Sequence, residues 1–239
     1  MRLDKFFSTV TALSRKECTD KIRKGKAAVN GVTIKKPDAK IDPEKDEIFL
    51  DGKQILYRPY LYLMLNKPEG VVSATEDKAD KTVLDLLPEE YKKFNLFPCG
   101  RLDKDTLGFV LLTNDGQAAH RALAPRSHVE KEYEFSLADP FTEEDALAVE
   151  RGVSLADGYV TKPCRIARTG DNAGVITLTE GKYHEIKRMF AARGNKIVFL
   201  KRISFAGIPL DPSLKEGEWR ALTEKETAKF LSPKEESTL

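Results

Sequence analysis

The sequence predicts an α+β fold in two parts, on three observations. Residues 1–58 compress two helix patterns, a hairpin signal and a further strand into one short segment. From Tyr60 onward strand and helix patterns alternate irregularly, with hairpin-like connections and no internal repeat, which disfavours a doubly wound parallel sheet. Charge divides at the same place. Residues 1–58 hold 14 Lys and Arg against 9 Asp and Glu, a net of +5, and the remainder (26 against 29) carries −3 of the overall +2.

The elements follow in order. "LDKFFSTV" has helical apolar spacing, and "SRKECTDKIRKG" opens with Ser14 and Glu17 in capping-box positions and stops at Gly25. Cys18 and Ile22, four apart, share the buried face of that helix. "AAVNGVTI" sets Asn30-Gly31 between two apolar runs, a two-residue hairpin signal, and "DEIFLDGK" adds a strand and a turn. This places a first domain at 1–52 and a linker at 53–60, "DGKQILYRPY" marking the change. In the second domain, 61–232, "LYLMLNKPEG" reads as a buried strand ending at Asn66. "FVLLTNDGQAAHRALA" reads as strand, turn and helix, and "KEYEFSL" alternates as a strand. "TEEDALAVERGV" is a helix capped by Thr142, and "AGVITLTEGKYHEIKRMFAARGN" is strand, turn and helix. "KIVFLKRISF" is a strand, "TEKETAKFL" closes the fold as a helix, and the polar tail 233–239 is expected to be disordered.

Composition excludes several classes. At 41% hydrophobic residues the chain is ordinary for a globular protein, and no apolar run approaches the roughly 20 residues a membrane span needs. The N-terminus lacks the apolar core of a signal peptide. Cys18, Cys99 and Cys164 are odd in number and far apart, and His120, His128 and His184 are scattered. We expect no disulfide framework, no metal site and a reducing, cytoplasmic compartment. Absence of a heptad pattern makes monomer the default. Basic residues on the helical part of the first domain, Arg15, Arg23 and Lys24 among them, suit phosphate contacts on one rigid face, as they would suit a solvated surface.

Three islands place polar residues where packing would not ask for them. In "NKPEG", Lys67 follows a buried strand. In "GRLDKDTLG", Arg101 and Asp103 alternate across Leu102 between Gly100 and Gly108, glycines that allow close backbone approach or unusual dihedrals. In "TEGKYHEIKRMF", a turn opens a helix on which Tyr183, Lys187 and Arg188 crowd together, while Ile186, Met189 and Phe190 form its buried face.

Together these islands resemble the pseudouridine synthases, and within them the family of ribosomal small subunit pseudouridine synthase A. The signature G-R-L-D-x-x-T-x-G, followed by an apolar run and T-N-D-G, is matched from Gly100 to Gly116. "LNKPEG", "EKEYEF" and "EGKYHEIKRMF" extend the match, and the order of elements over residues 1–50 resembles the S4 RNA-binding domain. "KYH" before "EIKRMF" resembles the small-subunit branch, where relatives acting on large-subunit RNA tend to carry Asn-Arg. The resemblance implies an S4-like domain joined to a catalytic domain on a mixed, mainly antiparallel sheet flanked by helices.

It also implies a reaction. Uracil is detached from its ribose at N1, turned, and rejoined through C5, with nothing gained or lost and no cofactor. Asp103 matches the family's initiating carboxylate, acting either as nucleophile at the sugar or on the ribose 2′ proton. Burial alone would raise the pKa of such a carboxylate above about 3.9. A cation at contact offers about 4 kcal/mol of gross attraction before desolvation is charged against it. Lys187 matches the family's basic residue, where many relatives carry Arg. Tyr133 matches the tyrosine that stacks on the extruded base, its hydroxyl a candidate for proton removal at C5. Arg101 is a candidate to fill the gap left by the base or to grip a phosphate, and Lys67 and Arg188 are further phosphate candidates. Asp105 is expected to face solvent. The partner implied is small-subunit (16S) rRNA, within an assembling particle. The alternatives are a large-subunit (23S) uridine, or a non-catalytic RNA-binding or ribosome-assembly factor on the same scaffold.

Overall fold

The computed structural model describes residues 1–11, 13–57 and 60–232, and the expected tail at 233–239 lies outside them. Two compact units emerge, one of Met1–Leu61 with Glu89–Asn95 and the other of Tyr62–Pro88 with Leu96–Leu239.

The first unit contains helices α1 (Leu3–Val10) and α2 (Arg15–Arg23) and four strands, β1 (Ala27–Val29), β2 (Val32–Ile34), β3 (Ile48–Leu50) and β4 (Lys53–Gln54). They form an antiparallel sheet in the order β2-β1-β3-β4. Helix α2 starts where the sequence places it: Ser14 Oγ accepts from Glu17 N at 3.3 Å and Glu17 Oε2 from Ser14 N at 2.7 Å. Val29 and Val32 are paired across Asn30-Gly31, both at positive φ (50° and 78°), as a type I′ hairpin requires. Cys18 and Ile22 are fully buried with Leu3, Phe6, Phe7 and Ile48. Lys53 and Gln54, expected in a linker, instead complete the sheet; of that linker, Arg58 and Pro59 lie outside the described residues.

The second unit is built on β5 (Tyr62–Lys67), β6 (Phe97–Cys99), β7 (Leu107–Thr113), β8 (Lys131–Leu137), β9 (Arg165–Arg168), β10 (Ala173–Leu178), β11 (Ile197–Phe205), β12 (Ile208–Pro209) and β13 (Trp219–Ala221). Its helices are α3 (Gly116–Leu123), α4 (Glu143–Glu150), α5 (Glu185–Ala191) and α6 (Glu224–Leu231). The sheet runs β13-β5-β7-β11-β8-β10-β9, with β12 on β11 and β6 on β7. Every pairing is antiparallel except β7 with β11, where Lys201 and Arg202 lie beside Leu107 and Gly108. The expected mixed, mainly antiparallel sheet is therefore what forms.

The central strands β5 and β7 are buried along nearly their whole length, while edge strand β9 is largely exposed, as a layered sheet demands. Met64, Phe109, Leu111 and Phe205 pack with Ala118, Ala119 and Ala122 of α3 and Phe230 of α6. Phe190 of α5 meets Phe135 of β8, ring centroids 4.9 Å apart, and both approach Phe141. Burying aromatics at such contacts contributes about 0.5–1.5 kcal/mol per pair beyond the area removed from water. The sheet thereby fixes one point in space, the start of β7 beside β11, β11 beside β8, and the end of β10 feeding α5.

Candidate active site

That point is where the polar islands converge. Gly100–Thr106 leads into β7, and a pocket of about 70 Å³ opens beside it. Arg101, Asp103, Tyr133, His184, Glu185 and Lys187 are among its lining residues. Residues from three distant stretches of sequence thus share one concavity. It lies at strand ends, where a rigid sheet can hold side chains to tight tolerance.

The loop carrying Asp103 is clamped from beneath by the "NKPEG" island. Lys67 ends β5 fully buried, and its ammonium donates to the carbonyls of Thr106 (2.7 Å), Pro68 (3.0 Å) and Lys104 (3.2 Å). Gly70 N donates to Lys104 O at 2.9 Å, and Ser73 Oγ both donates to Leu102 O and accepts from Leu102 N at 3.1 Å. Lys67 is therefore not a phosphate ligand. All three of its protons are committed to backbone carbonyls, and no surface remains for a phosphate to reach. Burial lowers its pKa to about 8 despite the attraction of Asp105 and Asp103. Lys67→Met preserves volume but takes this donor from the carbonyls of Thr106 and Pro68, Lys104 O keeping Gly70 N, at about 1–3 kcal/mol for each that stays dry. Chemical denaturation should show a loss of about 3 kcal/mol, the more mobile carbonyls being rehydrated. A midpoint equal to that of the native chain would mean that the clamp carries nothing.

Helix α5 supplies the cation. Lys187 Nζ lies 3.0 Å from Asp103 Oδ2 and 2.6 Å from Asp105 Oδ1. Its burial works against its charge, but the hydrogen bonds to Asp105 and Asp103 outweigh this and raise its pKa. Asp105 faces solvent, as expected, and has a partner as well. Its side chain is 63% exposed, yet it is bound to the lysine, which holds its carboxyl below the ordinary range. One ammonium thus serves two acids. A lysine can do so because its three donors have no fixed fork. His184 Nε2 lies 3.5 Å from Asp103 Oδ1, a contact that the spacing of the histidines along the chain does not announce. Asp103 keeps 29% of its side-chain surface exposed, so its setting is more open than full burial.

Tyr133 lies on β8 opposite Arg202 of β11 and is buried against the pocket. Arg202 is itself buried and donates from Nε to Phe109 O at 2.6 Å; nothing in "KRISF" distinguishes it from a surface cation. Arg101 is exposed at the pocket edge. Arg188, expected on phosphate, is tied down, Nη2 lying 2.5 Å from Asp157 Oδ2. In the first unit Arg23 and Lys24 are exposed, but Arg15 leans on buried Asp4, Nε to Oδ2 3.3 Å. Burial opposes Asp4's charge, and the hydrogen bonds from Arg2, Arg15 and Lys5 N nevertheless hold its carboxyl low. Gly108 shows both the close backbone approach and the unusual dihedral expected of it, at φ +99°. Its missing Cβ makes room for its own chain, since a Cβ would meet Arg202 O at 2.3 Å, and not for an RNA backbone.

Glu185 is the titratable group the sequence did not flag. It is 4% exposed, and Oε2 accepts from Lys182 N at 2.6 Å. Burial, and then the hydrogen bond to neighbouring Glu180, push its pKa up to about 8, against the pull of Lys182 N and Lys131. Burial works against the charge of Glu180 too, but hydrogen bonds from Glu185, Lys162 N and Tyr159 Oη keep that carboxyl low. A carboxyl raised on folding gives its full stability below the unfolded pKa and loses it as pH climbs through about 8. Between pH 5 and 8 the melting temperature of Glu185→Gln should therefore fall less steeply than that of the native chain. Parallel melting curves would contradict this.

Comparison with known proteins now decides the family. Residues 61–192 match the RNA pseudouridylate synthase model. The chain belongs to the RNA pseudouridylate synthase family. These enzymes are isomerases. The chain is 46% identical over 230 residues to the uncharacterized RNA pseudouridine synthase YtzG of Bacillus subtilis, covering 95% of this chain and 96% of that one. It is 40% identical over 233 residues to ribosomal small subunit pseudouridine synthase A of Escherichia coli, covering 97% of this chain and all (100%) of the relative. A solved pseudouridylate synthase aligns with a TM-score of 0.69 at 39% identity, covering 96% of this synthase and 99% of the other chain. Among the described residues no helix is long and apolar enough to cross a membrane.

Proposed function

We propose that this synthase converts a specific uridine of small-subunit (16S) rRNA to pseudouridine, and that Asp103 initiates the reaction. The observation that carries this is the Asp103–Lys187 contact at 3.0 Å inside a pocket that Tyr133 also lines. Similarity to ribosomal small subunit pseudouridine synthase A along 97% of the chain supports the choice of RNA.

The target uridine leaves its stack at a cost of a few kcal/mol, and Tyr133 lying against the ring returns about 1–3 kcal/mol. Asp103 attacks C1′ or takes the 2′ proton, and the N1–C1′ bond breaks. Uracil turns in the pocket, and C5 bonds to C1′ as the Asp103–C1′ bond breaks or the 2′ proton returns from Asp103. The Tyr133 hydroxyl relays the C5 proton, releasing its own as it takes it up, while N1 gains a proton. Atoms balance without a cofactor. Lys187 offsets the charge of Asp103 at 3.0 Å, a contact that strengthens once the bound base has displaced water from the site. Exposed Arg101 meets the backbone or fills the vacated stack. The first unit acts as an S4-like RNA-binding module through Arg23, Lys24 and the outward part of Arg15, within an assembling particle, and the enzyme works as a monomer in the cytoplasm.

Tritium release from C5-labelled uridine tests the assignment, with 16S and 23S transcripts and immature particles as parallel substrates. Release from small-subunit RNA, traced to one position by chemical tagging of the product, is the expected result. Release confined to large-subunit RNA would move the target. No release from any substrate, with RNA still bound, would leave a binding factor.

A further inference from the structure

We propose that the Tyr183–His184 ring pair is a stacking platform for the nucleobase next to the extruded uridine; this rests on the RNA substrate proposed above. Tyr183 is 72% exposed, more than any other large apolar side chain among the described residues. Yet its ring is not loose. It lies on the His184 imidazole with centroids 3.8 Å apart and planes at 19°.

The turn beneath is rigid. His184 adopts a left-handed conformation at φ 48°, Lys182 N donates to Glu185 Oε2 at 2.6 Å, and Arg188 Nη1 donates to Tyr183 O at 3.4 Å. His184 also lines the pocket and stands 3.5 Å from Asp103. Core packing does not need an aromatic held outward at the rim of a catalytic pocket. A nucleic acid does. Extruding one nucleotide strips its neighbour of a stacking partner, and a flat ring replaces that partner for any base, because every base has a π-face. Exposed Arg101 and Lys182 beside the platform offer cations for the flanking phosphates.

The test uses the full-length protein and short single-stranded oligoribonucleotides in which one uridine has 2-aminopurine on its 5′ or 3′ side. The native chain and Tyr183→Phe should quench one of the two probes on binding. Tyr183→Ala should bind that probe about tenfold more weakly, within the range of roughly five- to hundredfold set by base–aromatic stacking, and without quenching. In tritium release from 16S rRNA the same variant should raise KM by a similar factor and keep kcat within about twofold. Equal affinity and quenching in Tyr183→Ala, or a loss confined to kcat, would overturn the platform. A native chain that quenches the probe but releases no tritium would instead sink the isomerase reading and leave the platform standing.

Discussion

Asp103→Asn is expected to cut tritium release from C5-labelled 16S rRNA by about a thousandfold, in the middle of the range for removing a positioned acid–base group. The substitution keeps size and removes charge. An amide oxygen is too weak a base for the 2′ proton and too poor a nucleophile for C1′, so either route is lost. Folding should be little changed, because the loop is held by Lys67, Gly70 and Ser73 through its backbone and not through the Asp103 side chain. Lys187 separates charge from shape. In Lys187→Met, Asp103 and Asp105 lose their shared ammonium, and kcat should fall about ten- to hundredfold, as for a lost charge-assisted hydrogen bond. Lys187→Arg should recover most of it. An Asp103→Asn enzyme that still isomerises uridine would remove the carboxylate from the mechanism.

Gly108→Ala should be the most destabilising single substitution in this part of the fold. Gly108 sits at φ +99°, and an added Cβ would lie 2.3 Å from Arg202 O and 2.8 Å from Arg202 N. Both atoms are backbone of the adjacent strand, so no side-chain rotation relieves the clash. Strand β7 must leave β11, at their parallel join beside Arg202, and the positive φ adds strain of its own. A loss of about 4 kcal/mol or more is expected, lowering the melting temperature by about 10 °C or more. Activity should fall as well, since β7 carries the Asp103 loop while β11 positions Tyr133 through β8. Gly100→Ala is the control. It too has positive φ, but its Cβ would meet only a Leu123 side-chain methyl at 3.2 Å, and a smaller loss is expected. Equal melting of the two variants would show that the close strand approach costs nothing.

The elements that were legible share a property. Ser14–Glu17 and Thr142 at their helix starts, Asn30-Gly31 at its hairpin and the alternation of Lys131–Leu137 all act within a few residues of chain. The candidate site was legible for a different reason, because Asp103, Tyr133 and Lys187 carry chemistry that the resemblance could name. Its supporting residues were not. Lys67 looks like any lysine before a proline turn, Asp105 like a solvated acid and Arg188 like an open cation. Each takes its role from a partner far along the chain, Lys67 from Thr106, Asp105 from Lys187 and Arg188 from Asp157.

The sequence by itself therefore determined the helices and the longer strands, though not the short ones at Lys53–Gln54, Phe97–Cys99, Arg165–Arg168 and Trp219–Ala221. It also determined that a basic opening unit precedes an α+β body, and which side chains are candidates for the chemistry. Tertiary structure alone decided that β7 runs parallel to β11, that Lys67 is buried under the Asp103 loop, and that one ammonium is shared by two carboxylates. The division has a physical cause. Caps and turns are set by dihedral preferences and hydrogen bonds between near neighbours, whereas the charge state and exposure of a side chain depend on what the rest of the chain packs around it.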